Sequence, residues 1–141
     1  WLGELSAWAR DIAERALGDG LRLMLPGFRA DAAAWYDNAD VYLLTSRQDP
    51  GPTTAVDAAR RGTPFVAAPG DLGLQSLREL LEGVGTFCVT DDEAIERAVE
   101  VAGSETAAHR EHRASIIEQY ASFPRYVDNL LDALGVPQEA E

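Results

Sequence analysis

With a single cysteine, Cys88, the chain can form no intrachain disulfide, and the small stapled scaffolds of oxidising compartments are excluded. Cys88 stands in the apolar run Thr86-Phe87-Cys88-Val89 and reads as a small buried hydrophobe. Basic side chains are also scarce, 12 against 24 acidic ones, and the formal charge of -12 repels phosphate backbones and anionic lipid headgroups at long range. Nucleic-acid binding and a basic membrane patch are therefore not expected. No apolar run approaches the roughly 20 residues that span a bilayer. Residues 1–20 show no signal-peptide pattern, so a cytoplasmic location is the expectation. Neither a Gly-x-Gly-x-x-Gly turn after a strand nor a Gly-x-x-x-x-Gly-Lys-Ser/Thr phosphate loop is present. The two histidines, His109 and His112, fall on one expected helix with only Glu105 and Glu111 for company, so neither a Ser/His/Asp arrangement nor a metal site is expected.

What is present suits one soluble domain. The 141 residues are long enough to bury a core, and 46% apolar with 26% charged side chains is ordinary globular composition. Leu5, Trp8, Ala9, Ile12, Ala13, Ala16 and Leu17 recur at helical spacing up to Gly18 and Gly20, which predicts an amphipathic first helix. Strands are expected at Leu21–Leu25, Asp40–Thr45, Pro64–Ala68 and Thr86–Val89. Helices are expected between them at Asp31–Asn38, from Thr53 or Thr54 as cap to Gly62, and from the Gly-rich loop Pro69–Gly73 to about Glu82. Further helices follow at Asp91–Ala102, Glu105–Tyr120 and Pro124–Leu134. Short apolar strands alternating with helices require parallel pairing through crossovers, because each strand needs cover on both faces. The expected fold is α/β, an open doubly wound parallel sheet of about four strands with C-terminal helices. It forms one domain over residues 1–134, and 135–141 make an acidic tail. Trp8, Trp35 and Tyr36 are expected to pack in the core, and Phe123, Tyr126 and Leu130 to dock the last helix.

In such sheets ligands bind beyond the carboxyl ends of the strands, where helix N-termini present free N–H groups. The loop after the Asp40 strand carries Asp49, and Asp57 stands one turn into the next helix, so two acids flank the open amides of a first turn. Two acceptors around an anion cradle suit a ligand with hydroxyls at both ends and phosphates between. Taken singly, Asp49 reads as a turn residue and Asp57 as a surface acid paired with Arg60 or Arg61. Arg47 could reach a phosphate or pair with Asp49.

The stretch Asp40-Val-Tyr-Leu-Leu-Thr-Ser-Arg-Gln-Asp49-Pro-Gly-Pro-Thr-Thr-Ala-Val-Asp57, followed by Ala-Ala-Arg-Arg-Gly62-Thr-Pro64 and a strand, resembles the signature of group 1 glycosyltransferases. The match is strand, Ser-Arg, an acid, seven residues, a second acid, then Gly-x-Pro. It extends upstream to Leu21-Arg-Leu-Met-Leu-Pro-Gly27-Phe and, more weakly, downstream to residues 120–134. The resemblance implies the nucleotide-sugar-binding C-terminal half of a two-domain GT-B enzyme. That half would bind a nucleoside-diphosphate sugar as donor substrate, without a cofactor or metal. Asp49 would meet the sugar hydroxyls and Asp57 the ribose. Backbone N–H groups of Gly51, Thr53 and Thr54 would hold the diphosphate, and Gly27, Phe28 and Arg29 would approach the base or the phosphates.

The sequence departs from that pattern in several places. Both acids are aspartates where the family usually has glutamates, and Pro50 and Pro52 have no N–H for a phosphate. The family's two preceding strands, with their Arg and Lys pair, do not appear before Trp1. Completion of the sheet by rearrangement, strand exchange or a strand-donating partner is therefore expected, with the acceptor-binding N-terminal domain as the other missing partner. By itself the chain is not expected to turn over. The rival readings are a degenerate GT-B-derived binding or regulatory module and, further off, a phosphoacceptor receiver. Against the receiver, Asp40 begins a strand where that chemistry needs an acid at a strand's end.

Overall fold

The structure, a computed structural model, describes residues 6–18, 22, 24–49, 51, 53–72, 81 and 83–136. Two compact units divide the chain, Trp1–Trp35 and Tyr36–Glu141. In the first unit, helix α1 (Ala7–Gly18) starts where Ser6 Oγ accepts from the Ala9 N–H at 3.2 Å, and Arg15 reaches back one turn to Asp11 at 3.0 Å. Ala13 is buried, but Trp8, expected in the core, is 73% exposed. Helical spacing says which residues share a face and not what covers that face.

Leu21 and Leu23 of the expected first strand lie outside the described residues, and Arg22, Met24 and Leu25 are not in a strand. Gly27 then turns the chain at a φ of 74°. Arg29 pairs with Asp31 at 2.8 Å and lies 6.0 Å from the centroid of the Trp35 ring. Helix α2 covers Ala32–Asp37.

The second unit holds β1 (Tyr42–Leu44), β2 (Gln48–Asp49), α3 (Thr53–Arg60), β3 (Phe65–Ala67), β4 (Asp71–Leu72) and β5 (Gly85–Phe87). Three helices follow: α4 (Asp91–Ser104), α5 (Ala107–Ala121) and α6 (Phe123–Ala133). The main sheet is parallel in the order β1-β3-β5, with Tyr42 opposite Phe65 and Phe65 opposite Gly85. The α/β class, the parallel pairing, three strand positions and the C-terminal helices all agree with the expectation. The helix expected up to Glu82 falls on residues 73–80 and 82, outside the described ones, as do residues 137–141 of the tail.

Alternation along β3 sends Phe65 and Ala67 to one face and Val66 and Ala68 to the other, and all four are buried. The first face packs with Leu44, Ala55, Ala59, Leu81, Val84 and Ile117, under α3 and α5. The second packs with Cys88 and Ala94, under α4. A three-layer sandwich results, with the central strand buried on both faces. At Gly85 a Cβ would collide with the tip of the Phe65 ring, which explains a glycine at the start of a strand, and Phe65 meets Phe87 edge-on at 5.6 Å.

The last helix corrects the sequence reading. Phe123, Tyr126 and Leu130 are 73%, 61% and 43% exposed, while Val127 and Leu131 are the half-buried positions. The apolar stripe of α6 is broader than its contact, and Phe123 and Tyr126 face each other, with centroids 6.2 Å apart, instead of the body.

Candidate functional site

Parallel strands place the ends of β1, β3 and β5 together, and with them the segments 45–49, 68–72 and 88–90. The first two segments are joined by main chain: β2 pairs in parallel with β4, Gln48 opposite Asp71 and Asp49 opposite Leu72. This small second sheet was not expected, since residues that read as loop in a polar, proline-rich stretch carry no apolar alternation. Gly70 makes the approach possible. A Cβ there would stand 2.8 Å from the Ser46 carbonyl oxygen and 2.9 Å from that of Arg47.

Asp49 ends β2, half-buried, and its Oδ1 accepts from the Gly51 N–H at 3.0 Å, an Asx turn. Helix α3 begins at Thr53, so Thr53 and Thr54 lie inside its first turn and neither caps it. The main-chain N–H groups of that turn point toward the same end of the sheet as Asp49. Below them, the Tyr42 hydroxyl donates to Thr54 Oγ1 at 2.9 Å, and Tyr36 stands edge-on to Tyr42 at 5.7 Å. Burial pushes the Tyr42 phenol up; its bond to Thr54 partly offsets this, and Asp49 adds to the rise. Burial also raises Tyr36, with contributions from Tyr42 and then Asp57. Tyr36, Tyr42, Asp49 and Asp57 thus share one electrostatic neighbourhood.

Asp57 is exposed and does not form the helix-surface pair that sequence spacing offers: Arg61 faces Asp37 at 3.6 Å and Arg60 donates to the Ala121 carbonyl at 3.2 Å. Nor does Arg47 pair with Asp49. Its Nη2 meets Asp91 Oδ2 at 2.6 Å and its Nη1 donates to the Pro69 carbonyl at 2.8 Å. The ion pair holds Asp91 below the usual carboxylate range and raises Arg47. Asp91 went unnoticed in the sequence because its partner stands 44 residues away. Gly27, Phe28 and Arg29 belong to the first unit; Phe28 is 82% exposed, and Arg29 is engaged by Asp31.

The second unit therefore brings together Asp49, Gly51, Thr53, Thr54 and Asp57 around the start of α3. The sequence model described as glycosyl transferases group 1 matches residues 2–105, a span that contains this whole constellation. The chain belongs to the group 1 glycosyltransferase family. Comparison with curated proteins and with solved structures gives no match. For this glycosyltransferase domain, no group of three or more metal-ligating side chains occurs among the described residues, and no described helix is long and apolar enough to cross a membrane.

Proposed function

We propose that the chain is the donor-binding domain of its enzyme. It would take a nucleoside-diphosphate sugar, without a metal, for transfer to an acceptor hydroxyl presented by a separate acceptor-binding domain. The observation that carries this reading is the placement of Asp49 and Asp57 on either side of the α3 N-terminus, at the carboxyl end of a parallel sheet. Asp49 accepts hydrogen bonds from the sugar hydroxyls and Asp57 from the ribose hydroxyls. The diphosphate lies over the first-turn amides of Thr53 and Thr54, where the helix dipole favours negative charge. Gly51 has a double use. A phosphate oxygen taking over its N–H would free the Asp49 carboxylate from its Asx turn for the sugar.

The net charge of -12 makes local main-chain donors the natural anion cradle, since the overall field opposes an anionic ligand. Calorimetric titration with UDP, GDP and their sugar conjugates tests the reading. Preference for one nucleoside diphosphate, weakened at least about tenfold by Asp57→Ala, is the expected outcome, because a charged acceptor for the ribose diol is lost. A flat titration from a folded chain would sink it, and saturable binding without turnover would instead identify a degenerate binding module.

A further inference from the structure

We propose that Asp91 is a positioning residue for the loop that carries Asp49, acting through Arg47. The inference rests on the donor-site reading and goes beyond it by adding a residue from the far side of the sheet. Asp91 is the first residue of α4, and the start of that helix is pinned twice. Thr90 Oγ1 accepts from the Glu93 N–H at 3.1 Å, and the Glu93 carboxylate accepts from the Val89 N–H at 2.8 Å. The Asp91 carboxylate is thereby anchored to the end of β5.

From that anchor, Arg47 reaches across the sheet. One guanidinium joins the chain segments that follow all three parallel strands: its own after β1, Pro69 after β3 and Asp91 after β5. Directly after Arg47 the chain enters β2, whose second and last residue is Asp49. The segment Ser46–Asp49 is thus held on one side by the β2–β4 ladder and by Gly70 against the Ser46 and Arg47 carbonyls, and on the other by the Arg47 side chain. One residue, Gln48, separates the braced arginine from the acid assigned to the sugar.

An ion pair with side chains 59% and 57% exposed contributes little to global stability. Its leverage is local, because a shift of about 1 Å in an acceptor suffices to spoil a hydrogen-bonded substrate geometry. The competing use of Arg47 is as a direct cation for the diphosphate. The geometry favours the brace, since one Nη already donates to a carbonyl and the other to a carboxylate. The two uses differ in what they predict: a brace acting on Asp49 affects the sugar end of the donor, whereas a phosphate cation affects every nucleoside diphosphate.

The experiment compares calorimetric affinities for a nucleoside diphosphate and for its sugar conjugate in the wild-type chain, Asp49→Asn, Asp91→Asn, Arg47→Gln and the exchange Arg47→Asp with Asp91→Arg. Circular dichroism and amide NMR spectra are recorded for each. Asp49→Asn is expected to weaken the sugar conjugate about tenfold and leave the diphosphate unchanged. Asp91→Asn and Arg47→Gln should reproduce that sugar-selective loss and shift the Asp49 and Gly51 amide resonances, and the exchange should recover most of it.

If Asp49→Asn is sugar-selective while Asp91→Asn is silent, the brace falls and the donor site stands. An equal loss for both ligands in Arg47→Gln overturns the brace in favour of a phosphate cation. A silent Asp49→Asn overturns the donor-site reading and the brace with it.

Discussion

The two ends of the main sheet are closed by arginines, and in opposite ways. At the amino ends of the strands, Arg110 donates to the carbonyls of Ala39 at 3.0 Å and Asp37 at 3.0 Å and to Thr63 Oγ1 at 3.1 Å. Beside it, Arg113 donates to the Gly62 carbonyl and pairs with Glu105 at 3.1 Å, with side chains only 12% and 10% exposed. At the carboxyl ends, Arg47 spans exposed loops and holds a single carbonyl and a single carboxylate. The amino end is a sealed network that fixes α5 against the turns before β1 and β3. The carboxyl end is an open rim where main-chain donors and two acids remain accessible.

The largest expected effect tests the sealed end. Glu105→Gln leaves the Arg113 charge half-compensated in a dry site, and breaking such a pair costs about 3–5 kcal/mol of unfolding free energy. Urea denaturation should show it, with nucleotide affinity of the remaining folded protein unchanged; a loss below about 1 kcal/mol would mean that the pair is solvated and the contrast between the two ends false. Gly62→Ala comes next. Gly62 sits at a φ of 77°, and a Cβ would stand 2.7 Å from the Arg110 carbonyl oxygen, so about 2 kcal/mol or more should be lost, with conformation and collision acting together. Gly62→Asn, a residue that tolerates the left-handed region, separates the two causes: a similar loss in both variants assigns the cost to the collision.

Much of the fold could be read from the residues because the signals were local. The strands at Tyr42, Phe65 and Gly85 are short apolar runs bounded by turn residues, and helices were expected from Asp91 and Glu105; in the structure they are capped by Thr90 and Thr106, whose hydroxyls accept from the N–H of Glu93 and His109. The spacing of Asp49 and Asp57 around a helix start was equally visible. What escaped was pairing over long separations. Nothing in Gln48-Asp49 or Asp71-Leu72 announces a two-residue parallel ladder, and Arg47 finds Asp91 only after the sheet has formed. The amphipathic stripes of α1 and α6 fixed which residues share a face but left open what meets it. Trp8 and Phe123 are accordingly exposed where packing was expected.

Gly70→Ala carries the comparison to the open end. The added methyl collides with the Ser46 and Arg47 carbonyl oxygens at 2.8 and 2.9 Å, and the two loops must separate or the β2–β4 ladder must break. Because the rim contributes little to the core, unfolding free energy should fall by only about 1 kcal/mol, in the range of a typical single substitution. Affinity for a sugar nucleotide should fall about tenfold or more, since the acid at the end of β2 moves. An outcome with the weights reversed, a large stability loss and intact binding, would place the rim among the stabilising parts of the fold.

The smallest effect is a titration, and its sign follows from the ion pair. The Arg47 hydrogen bond holds the Asp91 carboxyl below its ordinary value. A carboxyl whose folded pKa is depressed contributes stability that is present above its unfolded value of about 3.9 and is lost as the pH falls through the folded one. On acidification, therefore, Asp91 should take its proton only below the ordinary aspartate range. Carboxyl carbon shifts measured against pH should give it a midpoint below the normal aspartate range, and Arg47→Gln should return that midpoint to the normal range. At the exposed rim the accompanying change in unfolding free energy is too small to dominate acid denaturation. A midpoint unmoved by Arg47→Gln would show that the guanidinium does not hold Asp91 in solution, and the open end would then be joined by its main chain alone.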